Sequence, residues 1–421
     1  MTELLTIWSD LSKPSAGLPI VQWALLLALA SASGYLLQRH AGLPKVVGYS
    51  LVGGLAGLLG FTGAAWPLQG AGLFLLELGV AVVLFEAGGR IPLRWFRHNP
   101  MVLVQSLAES ALTFWAVYSL LRWLDMAEPV AEALALLAMA GSPAVLARVI
   151  MDTRGAGPVS ERAMALVTLS SFYALVLCTA RAGLLAYAER GGAVPEQSAL
   201  VYPLLVLALS VALGAALALT LRLAFRMMSP SSENTAVFLL AMIAAAATLA
   251  AHFGGSAPLA ALLGGVLLKH LHARPWSWPR QMGTASAMLT MLMFVLVSVV
   301  AAQGDWSLAL FGWVGALVAA RAVAKVVGVG LGNIGSGASW TQALWVGFAM
   351  SPMSSVTLLL VSQFAASSRA LGGEIASIAL PAILLMEVLG AVLATVAIHR
   401  AGESARPWRL RSAHAGDSDG S

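Results

Sequence analysis

Several ionisable side chains interrupt the long apolar runs of this sequence. The basic ones are Arg148, Arg181, Arg321 and Lys325, and the acidic ones are Glu77, Glu86, Glu109 and Glu387. A charged group near the centre of a bilayer is costly, so it usually faces a partner or a water-filled cavity. Arg148 and Glu86 fall near the ends of their runs, where they can reach the membrane surface. Each of the others is a candidate functional residue.

Arg321 and Lys325 are four residues apart, a spacing that places both on one face of a helix. Lys325 is placed to pair with Glu109 or with Glu387, and the sequence leaves both partners open. A desolvated lysine can exchange a proton near neutral pH. Lys325, Arg321, Glu109 and Glu387 are therefore the predicted coupling residues.

Two of the apolar runs are broken by a serine-proline pair. The first break is Gly141-Ser142-Pro143, and the second is Ser351-Pro352-Met353-Ser354-Ser355. Proline has no backbone N–H and clashes with the preceding turn, so a helix kinks or unwinds there. Harmless kinks are common in membrane helices, but both breaks also carry hydroxyls and lie at matched places. Broken helices in corresponding halves of a chain indicate a transport site, so Ser142, Pro143, Ser351, Ser354 and Ser355 are predicted to bind an ion or substrate.

The composition is that of a membrane protein. Of 421 residues, 59% are hydrophobic and 10% charged, whereas a soluble domain carries about 25% charged residues. The apolar runs are continuous rather than alternating, which predicts helices and not a barrel. The single Cys178 excludes a disulfide framework, and no nucleophile–base pair or metal cluster is apparent. We expect an all-α integral membrane protein that is not an enzyme and has no cofactor, metal or nucleic-acid partner.

About thirteen apolar runs approach the length of roughly 20 residues that a span requires. They are 19–38, 43–61, 71–92, 100–121, 129–150, 161–187, 200–224, 234–252, 255–271, 282–302, 307–331, 339–365 and 375–399. Alternate connections and the tail hold most of the Lys and Arg residues. The opposite side holds Lys13, Arg122, Arg190 and Arg369. By the positive-inside rule the N-terminus is outside and the C-terminus is in the cytoplasm. The two broken runs are then antiparallel, as an inverted repeat requires.

Several of these stretches resemble one family, the monovalent cation:proton antiporters of the sodium/proton exchanger and Kef-type potassium efflux superfamily. Leu43–Gly48, followed by Gly53 and Gly57, resembles its second helix, and Leu76–Gly89 resembles its third. Ser142–Leu146 is similar to its unwound helix, and Gly254–Leu268 to its small-residue helix. Met386–Gly390, with Ala401–Glu403, resembles the last helix and exit of Kef-type members. The resemblance covers nearly the whole membrane region.

The resemblance implies a homodimer of thirteen-helix protomers in which two discontinuous helices cross at the ion site. It divides the chain into scaffold or dimerisation helices 1–3 (1–92), core helices 4–6 (93–187) and a linker helix 7 (188–226). Scaffold helices 8–10 (227–302), core helices 11–13 (303–399) and a disordered cytoplasmic tail (400–421) follow. The expected location is a plasma membrane, as a multi-pass protein of a bacterial inner membrane.

The ion site departs from the family pattern at three places. The sixth helix usually carries a titrating Asp, whereas the corresponding stretch Thr168–Ala174 has no carboxylate. Its hydroxyls, Ser170 and Ser171, are predicted to bind the ion or substrate. The Thr-Asp-Pro of many exchangers is Gly-Ser-Pro here, and Met353-Ser354-Ser355 replaces an Arg-Gly-Glu-like element. Lys325 matches the family's basic position.

Three functions follow from these observations. The first is a secondary transporter that exchanges Na⁺ or K⁺ for protons by movement of a core domain, with coupling relocated to Glu109, Glu387 or Lys325. The second is a carrier on the same fold for an anion or other solute, held by Lys325, Arg321 and the helix ends. The third is a membrane sensor or assembly partner whose site has decayed.

Overall fold

The computed structural model describes residues 18–405, apart from 62, 92, 94–95, 97–98, 193–196, 230–231, 272–279 and 305. Within these residues the regular structure is helical, and an isolated bridge pairs Gly155 with Ser404. The helices in chain order are α1 Leu18–Leu36, α2 Lys45–Leu58, α3 Gly70–Arg90, α4 Met101–Trp123, α5 Glu128–Met139, α6 Pro143–Thr153, α7 Pro158–Glu189, α8 Ser198–Met227, α9 Glu233–His252, α10 Ala257–Leu271, α11 Arg280–Ala302, α12 Leu308–Leu331, α13 Trp340–Ala349, α14 Ser355–Ser367 and α15 Arg369–Arg400.

The helices have the length and composition of membrane spans. Among the described residues, ten helical segments could each cross a membrane, and three shorter apolar helices, α2, α10 and α14, accompany them. Many large apolar side chains on these helices are exposed, for example Leu29, Leu204 and Val237. Such a surface suits contact with lipid. The predicted all-helical membrane fold is thus confirmed, while the thirteen crossings and their orientation stay predictions.

Each predicted run coincides with one helix or with one broken pair, but some helices are longer than their apolar parts. The run at 161–187 is the centre of α7, Pro158–Glu189, and the run at 375–399 lies inside α15, Arg369–Arg400. Polar ends extend both helices. Ser368, for instance, caps α15 by accepting a hydrogen bond from the backbone N–H of Leu371.

Glycines bring helix backbones into direct contact at two crossings. A Cβ at Gly265 of α10 would lie 2.1 Å from the carbonyl oxygen of Phe85 on α3, and one at Gly57 of α2 would lie 2.4 Å from that of Val299 on α11. Small residues allow this close approach in membrane bundles, where hydrophobic burial gives little drive for helix association.

The segment after α15 is bound to the end of α6 and the start of α7. Glu403 accepts hydrogen bonds from the backbone N–H groups of Val159 and Ser160 at 2.6 and 2.8 Å, and from the Ser160 hydroxyl at 2.7 Å. Ser404 Oγ donates to the Thr153 carbonyl at 3.0 Å. The chain is therefore held in place to residue 404, inside the predicted disordered tail 400–421, and residues 406–421 lie outside the described residues.

Candidate functional site

The first break separates α5 from α6. α5 ends at Met139, Ala140 is extended, and α6 begins at Pro143, where a missing N–H costs no helical hydrogen bond. Ser142 is the N-cap of α6, because its Oγ accepts a hydrogen bond from the backbone N–H of Val145 at 3.3 Å. Ser142 and Pro143 are buried. The unwound turn leaves the last carbonyls of α5 without helical partners.

The second break separates α13 from α14. α13 ends at Ala349, and α14 begins at Ser355, with Ser354 as its N-cap residue. Unlike Ser142, Ser354 makes no side-chain cap, and its Oγ has no hydrogen-bond partner among the described residues. Ser351, Ser354 and Ser355 are at most 2% exposed.

Arg321 of α12 joins the two breaks. Its guanidinium donates to the carbonyls of Ala138 and Ala140 at 2.9 Å each, and to those of Ser351 and Pro352 at 2.5 and 3.3 Å. It also approaches Met386 Sδ at 4.0 Å. The side chain is fully buried. The five donors of one guanidinium therefore satisfy carbonyls released by both broken helices.

Helix α7 packs against the first break through its hydroxyls. Ser171 Oγ contacts the carbonyls of Gly141 at 3.1 Å and Val167 at 2.8 Å, and Ser170 Oγ donates to Val167 at 3.1 Å. Both serines are fully buried. Between Glu161 and Glu189, at its two ends, α7 has no carboxylate. The crossing therefore has hydroxyls from α7 but no acid.

Lys325 forms a buried ion pair with Glu109 of α4. Lys325 Nζ contacts Glu109 Oε1, and it also donates to the Met139 carbonyl at 3.2 Å. Ser110 and Thr113 each donate to the same carboxylate at 3.2 Å. Both members of the pair are fully buried. The structure places Lys325 against Glu109 rather than Glu387, and the pair is neutral when both groups are charged.

Glu387 of α15 lies apart from this pair and is fully buried. Its Oε2 accepts a hydrogen bond from Ser298 Oγ of α11 at 3.1 Å. The hydroxyls of Ser50 and Ser354 lie beside the same carboxylate, without hydrogen-bond geometry. Among the described residues, Glu387 Oε1 has no hydrogen-bond partner.

The other charges within the apolar runs have local partners or partial exposure. Arg181 of α7 pairs with Glu132 of α5 at 2.8 Å, and both side chains are about a third exposed. Arg148 pairs with Asp152, one turn along α6, at 3.6 Å. These groups do not meet at the crossing.

Two cavities adjoin helix α6. One of about 170 Å³ lies between α3, α6 and α11, and its lining includes Glu86, Arg148 and Ser286. It reaches Ala144, in the first turn after the break. The other, of about 440 Å³, is lined by Arg90, the 155–157 loop and Glu161. The smaller cavity therefore reaches the first turn after the break, from the side predicted to be cytoplasmic.

Four participants were not predicted from the sequence. Ser50 and Ser298 beside Glu387 are ordinary hydroxyls inside apolar runs, so residue type alone does not distinguish them. Glu132 of the Arg181 pair lies in a predicted span, nine residues before Gly141, and its charge could have identified it. Asp152 could have been found from its four-residue spacing to Arg148. Among the described residues, no group of three or more His, Cys, Asp and Glu side chains could hold a metal ion.

Comparisons with known proteins agree with this architecture. A search of curated proteins gives no match. The structure is similar to that of the sodium proton antiporter MjNhaP1 from Methanocaldococcus jannaschii at pH 8, with a TM-score of 0.66 and 16% sequence identity over 91% of this chain and 98% of that one. A three-dimensional electron microscopy map of the same antiporter matches with a TM-score of 0.60 and 17% identity, over 96% of each chain. At these identities the likeness shows the fold. The family model "Sodium/hydrogen exchanger, transmembrane" matches residues 25–400, and the chain therefore belongs to the sodium/hydrogen exchanger family.

Proposed function

We propose that this multi-pass membrane protein exchanges a monovalent cation, Na⁺ or K⁺, for protons by alternating access. The family is one of cation:proton antiporters rather than enzymes. The observation that carries the proposal is the junction at Arg321, which ties the carbonyls of Ala138 and Ala140 to those of Ser351 and Pro352. Two broken helices that meet at mid-membrane are the arrangement in which transporters build ion sites.

The moving unit in this proposal is the core, residues 93–187 and 303–399. The scaffold is residues 1–92 and 227–302, and 188–226 link the two. The cavity at Ala144, Glu86 and Ser286 supports this division because it lies between the core helix α6 and the scaffold helices α3 and α11. Sliding of the core would open or close such a space. A homodimer in the plasma membrane of a bacterium completes the proposal.

The titratable group that couples cation movement to proton movement does not lie at the crossing in α7. Exchange requires a group for which a cation and a proton compete, and the hydroxyls of Ser170 and Ser171 do not titrate near neutral pH. The ionisable candidates near the crossing are the Lys325–Glu109 pair and Glu387.

An anion carrier is the weaker alternative on this structure. Its ligand would need an available positive charge at the crossing, but Arg321 contacts four carbonyls and a sulfur, and Lys325 contacts a carboxylate and a carbonyl. A non-transporting sensor makes no use of the cavity that reaches Ala144.

The test is transport by the purified chain in proteoliposomes that contain a pH-sensitive dye. An outward gradient of NaCl or KCl, compared with choline chloride, is applied between roughly pH 6 and pH 9, the range in which tuned groups titrate. Cation-driven acidification of the lumen is the expected result. If the dye signal from folded, reconstituted protein does not depend on the cation, antiport is refuted. If anions stabilise the protein only when Lys325 is present, the anion-carrier alternative is favoured.

A further inference from the structure

A cluster of oxygen atoms with unused hydrogen-bonding capacity surrounds Glu387. Four elements contribute to it: α15 supplies the carboxylate, α2 supplies Ser50, α11 supplies Ser298, and the second break supplies Ser354. All four residues are fully buried. Among the described residues, Ser50 Oγ, Ser354 Oγ and Glu387 Oε1 lack a hydrogen-bond partner. Buried polar atoms in folded proteins normally have well-formed partners. Here two hydroxyls beside the carboxylate, and one of its own oxygens, have none within hydrogen-bond geometry, so the cluster can offer these oxygens to a ligand.

Tight helix contacts hold these oxygens together. A Cβ at Gly53, one turn from Ser50, would lie 3.0 Å from the Ser298 Cβ. A Cβ at Gly390, one turn from Glu387, would lie 2.6 Å from the Cα of Pro352 in the second break. The backbones of α2 and α15 therefore approach α11 and the break as closely as the chain allows.

Among the residues that the structure describes, Glu387 also has no counter-ion. The ion pairs among the described residues are Arg148–Asp152, Arg181–Glu132 and Lys325–Glu109. An ionised carboxylate buried without a cation costs several kcal/mol. The position is near the middle of the 32-residue helix α15, far from water at either end. The carboxylate is stable there in two states, neutral with a bound proton or ionised with a bound cation.

We infer that Glu387, with Ser50, Ser298 and Ser354, forms the site where a monovalent cation and a proton compete. This inference rests on the antiport function proposed above. Carboxylate and hydroxyl oxygens are the ligands that hard cations take. Glu387 thus supplies the carboxylate that α7 lacks.

The position of the cluster gives it a way to release the cation. Ser50 and Ser298 belong to the proposed scaffold, and Ser354 and Glu387 to the proposed core. Movement of the core separates the two halves of the ligand set, and the cation leaves to the open side. The carboxylate then takes one proton from water on that side. One positive charge replaces another at a single carboxylate, so exchange through this site is electroneutral.

The test compares wild type with Glu387→Gln, and with Glu374→Gln as the matched control. Glu374 is an exposed carboxylate on the same helix, α15. For detergent-purified protein, NaCl and KCl are each titrated against choline chloride at pH 5.5 and 8.5, and the melting temperature is recorded. We expect one of the two cations to stabilise wild type and Glu374→Gln at the higher pH, and much less at the lower pH, where protons occupy the carboxylate. Glu387→Gln should lose this cation-dependent shift and the cation-driven proton flux.

If Glu387→Gln fails to fold, Ser50→Ala and Ser298→Ala still test the site, because both variants keep the carboxylate. Each should raise the half-saturating cation concentration by about tenfold, the effect of losing one modest ligand interaction. If Glu387→Gln retains cation-dependent stabilisation and exchange at the wild-type level, or if neither serine variant changes the cation dependence, the inference is overturned. Absence of exchange by wild type would instead refute the antiport proposal.

Discussion

Replacement of Arg321 by lysine should destabilise the junction between the two broken helices. The guanidinium holds carbonyls at four positions, two in each break. An ammonium has three donors at one point and cannot span both breaks. We expect Arg321→Lys to lose at least two of the four hydrogen bonds.

The expected magnitude follows from the charge of the donor. A hydrogen bond to a charged group contributes about 1.5–3 kcal/mol, so loss of two costs about 3–6 kcal/mol. This is a large part of the roughly 5–15 kcal/mol that stabilises a folded protein. Water that enters the gap would reduce the loss. For a chain of this size the melting temperature should fall by roughly 3–7 °C.

The assay is thermal unfolding of the detergent-purified protein, with cation-driven proton flux measured in parallel. Arg181→Lys is the matched control, since Arg181 pairs with Glu132 at 2.8 Å but both side chains are about a third exposed. Such pairs contribute about 0–1 kcal/mol, so this control should melt near the wild-type temperature. If Arg321→Lys melts together with Arg181→Lys and transports normally, the junction does not carry the stability assigned to it.

Three further outcomes are expected. Lys325→Met leaves Glu109 buried without its partner and should lower the free energy of unfolding by about 3–5 kcal/mol, whereas the double variant Lys325→Met, Glu109→Met should recover most of that stability. Thermal unfolding measures both, and a double variant no more stable than the single one would count against the pair. Glu403→Ala removes three hydrogen bonds from the start of α7. Amide hydrogen exchange at Val159 and Ser160 should therefore accelerate about tenfold or more, and unchanged exchange would show that the contact does not hold the segment. Gly390→Ala places a Cβ 2.6 Å from the Cα of Pro352 and should cost about 1–3 kcal/mol, while Gly373→Ala on the same helix, with nothing within 4 Å, should be tolerated; equal melting temperatures would refute the close contact.

The membrane fold was predictable because its determinants are local. Apolar runs of span length and the serine-proline breaks are visible in the sequence itself, and neither requires knowledge of which helices pack together. Proline alone does not predict a break, since Pro203 and Pro381 lie inside the continuous helices α8 and α15. The two real breaks differ from these by their serines.

The partners across helices were not predictable in the same way. The four-residue spacing of Arg321 and Lys325 predicts a shared helix face, but not which neighbouring helix that face meets. The choice of Glu109 over Glu387 is made by packing of α12 against α4, where a Cβ at Gly328 would lie 2.6 Å from the Cα of Glu109. Ser50 and Ser298 are far apart in the sequence, and only the fold brings both to Glu387.

The contacts at the crossing also explain why coupling should lie beside it rather than in it. In exchange, a cation displaces protons from ligands that are otherwise free, but here Arg321 occupies the carbonyls of Ala138, Ala140, Ser351 and Pro352, and Lys325 occupies that of Met139. Ser142 caps α6, and Ser171 is bonded to the Gly141 carbonyl. A cation that entered this point would meet two positive side chains. The hydroxyl of Ser354, in the second break, lies beside Glu387. Ser354 and Glu387 move together in the proposed core, and that movement takes the carboxylate away from Ser50 and Ser298. A carboxylate outside the crossing can therefore respond to motion at the crossing.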